Sequence, residues 1–106
     1  MIAEIFPEGF QRYQSLPVLG PLMDRYAAWL REHQYTWRST RYELLMAGRA
    51  AEYLKRRSVC RLEELTQQHL DACHRLFSKK YRAEAGAVLV LARFLHEIGH
   101  AETTPA

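Results

Sequence analysis

The side chains of this sequence that most clearly indicate a chemical role are arginine and lysine, which bind anions, and they concentrate in one stretch. Between Tyr35 and Arg61 there are seven basic and two acidic residues, a local net charge of +5, whereas the whole chain carries +3. The guanidinium group of arginine donates two parallel hydrogen bonds, which suits phosphate groups and the edges of guanine bases. This stretch predicts an anionic partner, although a basic helix face is also common as a purely solvated surface.

The sequence HEIGH at residues 96–100 matches the His-Glu-x-x-His motif of zinc metalloproteases. That chemistry needs both histidines on one face of a helix and a third protein ligand. Gly99 is a residue type that ends helices, so we expect His100 to leave the helical face of His96. We therefore expect no metal site at this motif.

Catalytic sets and cofactor motifs are not found in this sequence. The cysteines and the nearby histidines lack the spacing of a zinc finger, and Cys73 is expected to be a buried free thiol. No Gly-rich phosphate loop, Ser-His-Asp set or Cys-His pair occurs. Three tyrosines fall on apolar helix faces and are predicted to be core residues: Tyr26, Tyr42 and Tyr53. We therefore expect no catalytic residue, no metal ligand and no cofactor.

Helices must position the basic residues, because the apolar residues recur at helical spacing. The predicted helices cover residues 21–33, 37–57, 66–77 and 81–98. Thr36 and Thr66 are placed to cap the second and third helices, and Gly99 to end the fourth. Residues 1–19 contain several prolines and glycines and are predicted to form an irregular extension. The fold class is therefore all-α, a four-helix bundle with an N-terminal extension.

The second predicted helix separates apolar from basic side chains. At 100° per residue, its apolar arc contains Tyr42, Met46, Ala47, Ala50, Ala51, Tyr53 and Leu54. Its opposite arc contains Arg38, Arg41, Arg49, Glu52 and Arg56. We expect the first arc to pack in the core and the second to face outward.

Size and composition limit what the protein can be. A chain of 106 residues with 48% hydrophobic and 25% charged residues has the size of one domain, which excludes a large enzyme. The N-terminus lacks the basic and apolar regions of a signal peptide, and no apolar run reaches the ~18 residues of a membrane span. Two cysteines do not make a disulfide framework. We expect a cytoplasmic protein that does not contact a membrane.

The stretch from Tyr26 to Phe77 resembles the N-terminal core-binding domain of tyrosine recombinases, the phage and transposon integrases. The residues that carry the resemblance, in order, are Trp29-Leu30-Arg31-Glu32, Tyr35-Thr36, Ser39, Ala50 with Tyr53-Leu54, and Leu62-Glu63-Glu64-Leu65-Thr66. Arg93-Phe94-Leu95 before Gly99 is also similar to the final helix of that family. The resemblance extends over roughly residues 20–100, and it depends on the order and spacing of these motifs together.

This resemblance implies that residues 20–100 form a SAM-like, all-α domain that is one half of a clamp on duplex DNA. The other half would be a C-terminal catalytic domain with an arginine-rich site and a tyrosine nucleophile, which this chain does not contain. Residues 101–106 would begin the linker to that domain. The chain would then bind DNA without cutting it, and its protomers could assemble on the DNA as a homo-oligomer.

The expected DNA contacts lie on the second predicted helix and at the start and end of the fourth. They are Arg38, Ser39, Thr40, Arg41, Arg49, Arg56, Lys79, Lys80, Arg82 and Arg93. Most would bind phosphates, whereas Arg38 and Arg41 are the candidates for reading bases. Ser39 and Thr40 would either donate to a phosphate at the positive helix end or cap the helix. The alternative is a helical protein-interaction module that uses the apolar surface of the fourth helix and does not bind DNA.

Overall fold

Six α-helices make up the fold in the part of the chain that the structure, a computed structural model, describes: residues 2–16, 18–80 and 82–99. They are α1 (Ile2–Ile5), α2 (Phe10–Gln14), α3 (Met23–Glu32), α4 (Trp37–Arg56), α5 (Gln67–Lys80) and α6 (Arg82–Glu97). No β-strand occurs within those ranges. The all-α prediction is confirmed, and α3 to α6 match the four predicted helices. Residues 101–106, the predicted linker, lie outside the described residues.

The predicted capping residues define the ends of the helices. Thr36 has an extended backbone, and its hydroxyl accepts a hydrogen bond from the backbone N–H of Ser39 at 3.1 Å. Thr66 accepts from the N–H of His69 at 3.3 Å in the same way. Gly99 has a φ of 83°, a left-handed conformation in which glycine carries no Cβ penalty, and α6 ends just before it.

Two predicted boundaries are wrong. The helix expected from residue 21 starts with a short 3₁₀ turn, Gly20–Leu22, before α3 begins. The helix expected to end at residue 77 continues to Lys80, because no proline or glycine interrupts the chain there. Lys79 and Lys80 therefore lie in the last turn of α5 and not at the start of the next helix.

The N-terminal segment belongs to the same core as the rest of the domain. It forms two short helices where an irregular extension was predicted, and Ile2, Ile5 and Tyr13 are buried in the common hydrophobic core. The backbone N–H of Ile2 donates to the Asp24 carboxylate at 2.8 Å, which lowers the pKa of Asp24. The segment is therefore fastened to α3.

The core is built around α6, which packs against both α4 and α5. The ring of Phe94 is fully buried, with its centroid 4.8 Å from that of Tyr26 and 5.5 Å from that of Trp29. One side of α6 nevertheless faces solvent, since Leu89 is 56% exposed and Gly86 is exposed beside it. The helix is thus not buried on all sides, although its sequence is apolar almost throughout.

Two glycines in this fold are expected to respond to alanine with opposite signs. A Cβ on Gly20 would lie 2.4 Å from the carbonyl oxygen of Gln14, and a backbone atom cannot yield without shifting the end of α2. Gly20→Ala should therefore destabilise the protein by about 1–3 kcal/mol. Gly86, in the exposed part of α6, has nothing within 4 Å, so Gly86→Ala should stabilise it by about 0.5–1 kcal/mol.

Urea denaturation followed by circular dichroism measures both changes in the free energy of unfolding. Equal effects of the two substitutions would contradict the close approach of the Gly20 turn to α2.

Candidate nucleic-acid interface

One face of α4 gathers most of the predicted DNA-binding arginines. Arg38, Arg41, Arg49 and Arg56 are all exposed, as predicted for the outward arc. Arg38 and Arg56 are separated by about five helical turns, which places them on the same side of α4 and about 27 Å apart along its axis. We call this surface, which contains Arg38, Arg41, Arg49 and Arg56, the arginine face.

The arginine face is more basic than the sequence count indicates. Of the two acidic residues between Tyr35 and Arg61, Glu43 is only 9% exposed and lies on the core side of α4. Glu52 is exposed and is therefore the one carboxylate of that stretch on the outer side. The exposed surface of α4 thus has a strong excess of positive charge.

Apolar side chains accompany the arginines on the outer side of α4. Leu45 is 48% exposed and Tyr42 is 38% exposed, so the prediction that Tyr42 lies in the core is wrong. Its angular position on the helix lies close to that of Arg38 and Arg49, which a count at 100° per residue already indicates. Tyr53 is half-buried, whereas Tyr26 is buried as predicted.

Ser39 and Thr40 differ in exposure, although they are neighbours at the start of α4. Ser39 is exposed, and its backbone N–H is bound by the Thr36 hydroxyl, so Thr36 and neither of the pair caps the helix. Thr40 is 0% exposed. The predicted phosphate contact of Thr40 does not fit this burial, because its hydroxyl is buried. Thr40 is therefore no longer one of the candidate DNA-binding residues.

Thr40 is one of four residues of α3 and α4 with a buried polar atom that has no hydrogen-bond partner among the described residues. The Thr40 hydroxyl, a carboxylate oxygen of Glu43, the Tyr26 hydroxyl and the Trp29 indole N–H are all buried without a hydrogen-bond partner among the described residues. Burial raises the pKa of Glu43. Burial also raises the pKa of Tyr26, and the nearby Glu43 charge adds to this. These groups stabilise no charge at the surface and play no part in the arginine face.

A groove of about 1010 Å³ lies between α2, α4 and α5. Five cationic residues from these three helices line it: Arg12, Arg49, Lys55, Arg56 and Lys80. Glu52 is the one acidic residue among the described residues that line it. We call this site the basic groove; it shares Arg49 and Arg56 with the arginine face.

Arg12 and Lys55 are lining residues that the sequence analysis missed. Arg12 lies in the segment interpreted as an irregular extension, and no local charge run marks it. Lys55 is in the last turn of α4, away from the arc of the predicted contacts. Arg12 reaches the groove because α2 lies near α4, with an atom of the Tyr13 ring 3.9 Å from the Cβ position of Gly48, and a local pattern does not reveal this packing.

The other predicted contacts do not join the basic groove. Lys79 is exposed at the end of α5 but does not line it. Arg93 on α6 pairs with Glu97 at 3.4 Å, and its guanidinium lies 5.9 Å from the centroid of the Trp29 ring. The side chain of Arg82 lies outside the described part of the structure. Among the described residues, Lys80 is the one predicted contact outside α4 that lines the basic groove.

His96 and Cys73, two of the residues with metal-binding or nucleophilic chemistry, are engaged in the fold, whereas Cys60 is an exposed free cysteine. His96 is hydrogen-bonded through Nε2 to the side-chain oxygen of Gln67, and His100 lies outside the described residues. Across the described ranges, no group of three or more His, Cys, Asp or Glu side chains could hold a metal ion. Cys73 is buried as predicted, and burial raises the pKa of its thiol to about 12, so it is not a thiolate at neutral pH.

Known proteins give no further guide to this site. Neither a protein-family model, nor a curated protein, nor a solved structure matches this chain. None of the described helices is long and apolar enough to cross a lipid bilayer. The resemblance to tyrosine recombinases therefore stays a prediction, and the geometry of the basic surface is what bears on function.

The Glu43→Gln variant tests the burial of the Glu43 carboxylate on the core side of α4. Because the folded state raises the pKa of Glu43, its ionisation at neutral pH opposes folding, and this cost disappears below the unfolded pKa near 4.5. Glu43→Gln should therefore be more stable than the parent protein at about pH 7.5 and equal to it at about pH 4.

Urea denaturation at the two pH values measures this difference, with the exposed Glu52→Gln as the control for loss of a carboxylate. A stability difference for Glu43→Gln that does not change with pH would contradict the burial of this carboxylate.

Proposed function

We propose that this protein binds duplex DNA through the arginine face of α4. The observation that carries the proposal is the placement of Arg38, Arg49 and Arg56 on one exposed side of a single helix. Their axial span of about 27 Å corresponds to about eight base pairs of duplex. Duplex DNA presents phosphates continuously over such a length.

The spacing of the charges favours a polyanion over a small ligand. Arg38 and Arg56 are too far apart to bind one phosphate group together. The burial of Glu43 removes from the outer side a carboxylate that would repel phosphates. A row of exposed arginines along one rigid helix is suited to repeated phosphate contacts, which position a protein on DNA without reading its sequence.

The two ends of α4 have different roles in this proposal. Arg49 and Arg56, near the C-terminal end, bind phosphates. Arg38, near the N-terminal end, is exposed and would reach base edges or a second phosphate row. Ser39 and Arg41 are also exposed, and the Arg41 guanidinium lies 5.3 Å from the centroid of the Phe6 ring. Sequence recognition would therefore come from the first turns of the helix.

The resemblance described above suggests the biological setting. In that setting the chain is the DNA-binding half of a clamp in a site-specific recombinase or integrase, and it contributes binding rather than strand cleavage. The partner half is a C-terminal catalytic domain of the same protein, and several protomers assemble on the DNA. The basic surface supports the DNA-binding part of this proposal.

A helical protein-interaction module is the second candidate function. The observation that favours it is the 56% exposure of Leu89 on α6, beside the exposed Gly86. This apolar surface is separate from the cations that line the basic groove. A module of this kind that does not bind DNA leaves the arginine face as a solvated surface, whereas protomers assembled on DNA would use both surfaces.

Fluorescence anisotropy with a labelled duplex of random sequence tests the DNA-binding proposal. If about five to eight phosphates are neutralised, log K should fall with log salt with a slope of about −4 to −7. Arg49→Gln and Arg56→Gln should each weaken binding to all sequences and reduce that slope by about one. Arg25→Gln, which removes the same charge from an exposed position on α3, is the control.

A protein-interaction module predicts a different result. If single substitutions to Gln at Arg38, Arg41, Arg49 and Arg56 and the control Arg25→Gln all bind the duplex equally weakly, the arginine face is a solvated surface and the DNA-binding proposal is wrong.

A further inference from the structure

The basic groove brings together cations that are distant in the sequence. Arg12 comes from the N-terminal segment and Lys80 from the last turn of α5, and both line one concave surface together with Arg49 and Arg56 of α4. Like charges gathered in one concavity repel one another and oppose folding. An unused solvated surface gives no reason for this convergence, whereas an anionic ligand in the groove would offset the repulsion.

We propose that the basic groove is an anchor for one phosphodiester backbone of duplex DNA, and that it contacts phosphates and sugars without reading bases. This inference rests on the DNA-binding function proposed above. It adds α2 and the end of α5 to the contact surface, through Arg12 and Lys80. The anchor adjoins the arginine face, since Arg49 and Arg56 belong to both, so one backbone that follows α4 enters the groove.

The aromatic residues of the groove argue for a duplex backbone and against unpaired bases. Binding of single strands usually depends on open aromatic faces on which bases stack. Tyr13 and Phe77 are buried, and the ring of Phe6 stacks on Tyr13 with the centroids 4.5 Å apart. Tyr53 is covered by the guanidinium of Arg57, 5.4 Å from the ring centroid, and its ring meets Phe77 edge-on. Among the described residues that line the groove, Tyr53 is therefore the one aromatic side chain with surface left for a base, and Arg57 covers one of its faces.

The dimensions and charges of the groove fit a backbone segment rather than a single small anion. Its volume of about 1010 Å³ is far larger than a phosphate group, and its cations lie on three separate helices. Leu45, 48% exposed, supplies an apolar contact of the kind that a deoxyribose ring can cover. Glu52, the one acidic side chain in the described part of the lining, would repel a phosphate. Its removal should therefore strengthen binding, which gives the test a variant of opposite sign.

The test compares three variants in the full chain with a random duplex of about 25 base pairs, at about 50 and 200 mM KCl. Arg12→Gln/Lys80→Gln removes two groove cations. Arg25→Gln/Arg75→Gln removes two exposed cations, on α3 and α5, that do not line the groove. Glu52→Gln removes the groove carboxylate. Circular dichroism and thermal unfolding establish whether each variant is folded. We expect all three to fold, because all five substituted positions are exposed.

We expect the ratio of the Kd values at the two salt concentrations to be about twelvefold smaller for Arg12→Gln/Lys80→Gln than for the parent, since each lost phosphate contact changes it by about 3.5-fold. The Arg25→Gln/Arg75→Gln control should retain the parent ratio. Glu52→Gln should lower the Kd at both salt concentrations. A single strand of the same sequence should bind more weakly than the duplex.

Two results would overturn this inference while leaving the DNA-binding function intact. The first is a parent protein that binds the duplex with a steep salt slope, together with a groove variant that behaves like the Arg25→Gln/Arg75→Gln control. The second is tighter binding of the single strand that is lost in Tyr53→Leu. A parent protein that does not bind duplex DNA at about 50 mM KCl would instead refute the proposed function itself.

Discussion

The rotation of α4 about its own axis determines where every candidate contact lies. Ala47, Ala50 and Ala51 are buried almost completely, and side chains this small let α3 and α6 approach the α4 backbone closely. Leu44 and Leu54 fill the same buried face at either end. If α4 were rotated about its axis, arginines would enter this tight contact and the leucines would be exposed to solvent. The arginine face therefore points outward because of how the core packs, and not because of contacts made by the arginines.

The basic groove depends on a second packing contact, between the N-terminal segment and α4. A Cβ placed on Gly48 would lie 3.9 Å from atoms of both Leu16 and Tyr13, so this segment passes directly over the outer part of α4. The hydrogen bond from Ile2 to Asp24 fastens the segment to α3. Since the folded state lowers the pKa of Asp24, this attachment favours folding above the unfolded pKa of the carboxyl group and weakens as the pH falls through the folded value.

Features decided by local sequence could be predicted, and features decided by tertiary packing could not. The four main helices and the Thr36 cap follow from apolar periodicity and cap chemistry, both of which act within one helical turn. The burial of Thr40 was missed, because a small polar residue at the start of a helix is compatible with either surface or core. The approach of Arg12 to the groove was missed because the burial of Ile5 on α1 and of Tyr13 on α2 docks this segment, and no local pattern reports those contacts.

Chemical-shift mapping of the backbone amides by NMR tests the central claim most directly, since it identifies the surface that contacts DNA without any substitution. On titration with a short random duplex at low salt, the account predicts perturbed amides along α4 and α2 and in the last turn of α5, including Arg49, Arg12 and Lys80. The exposed side of α6 around Gly86 and Leu89 should be unaffected. Perturbations confined to that side of α6, with α4 unchanged, would contradict the account.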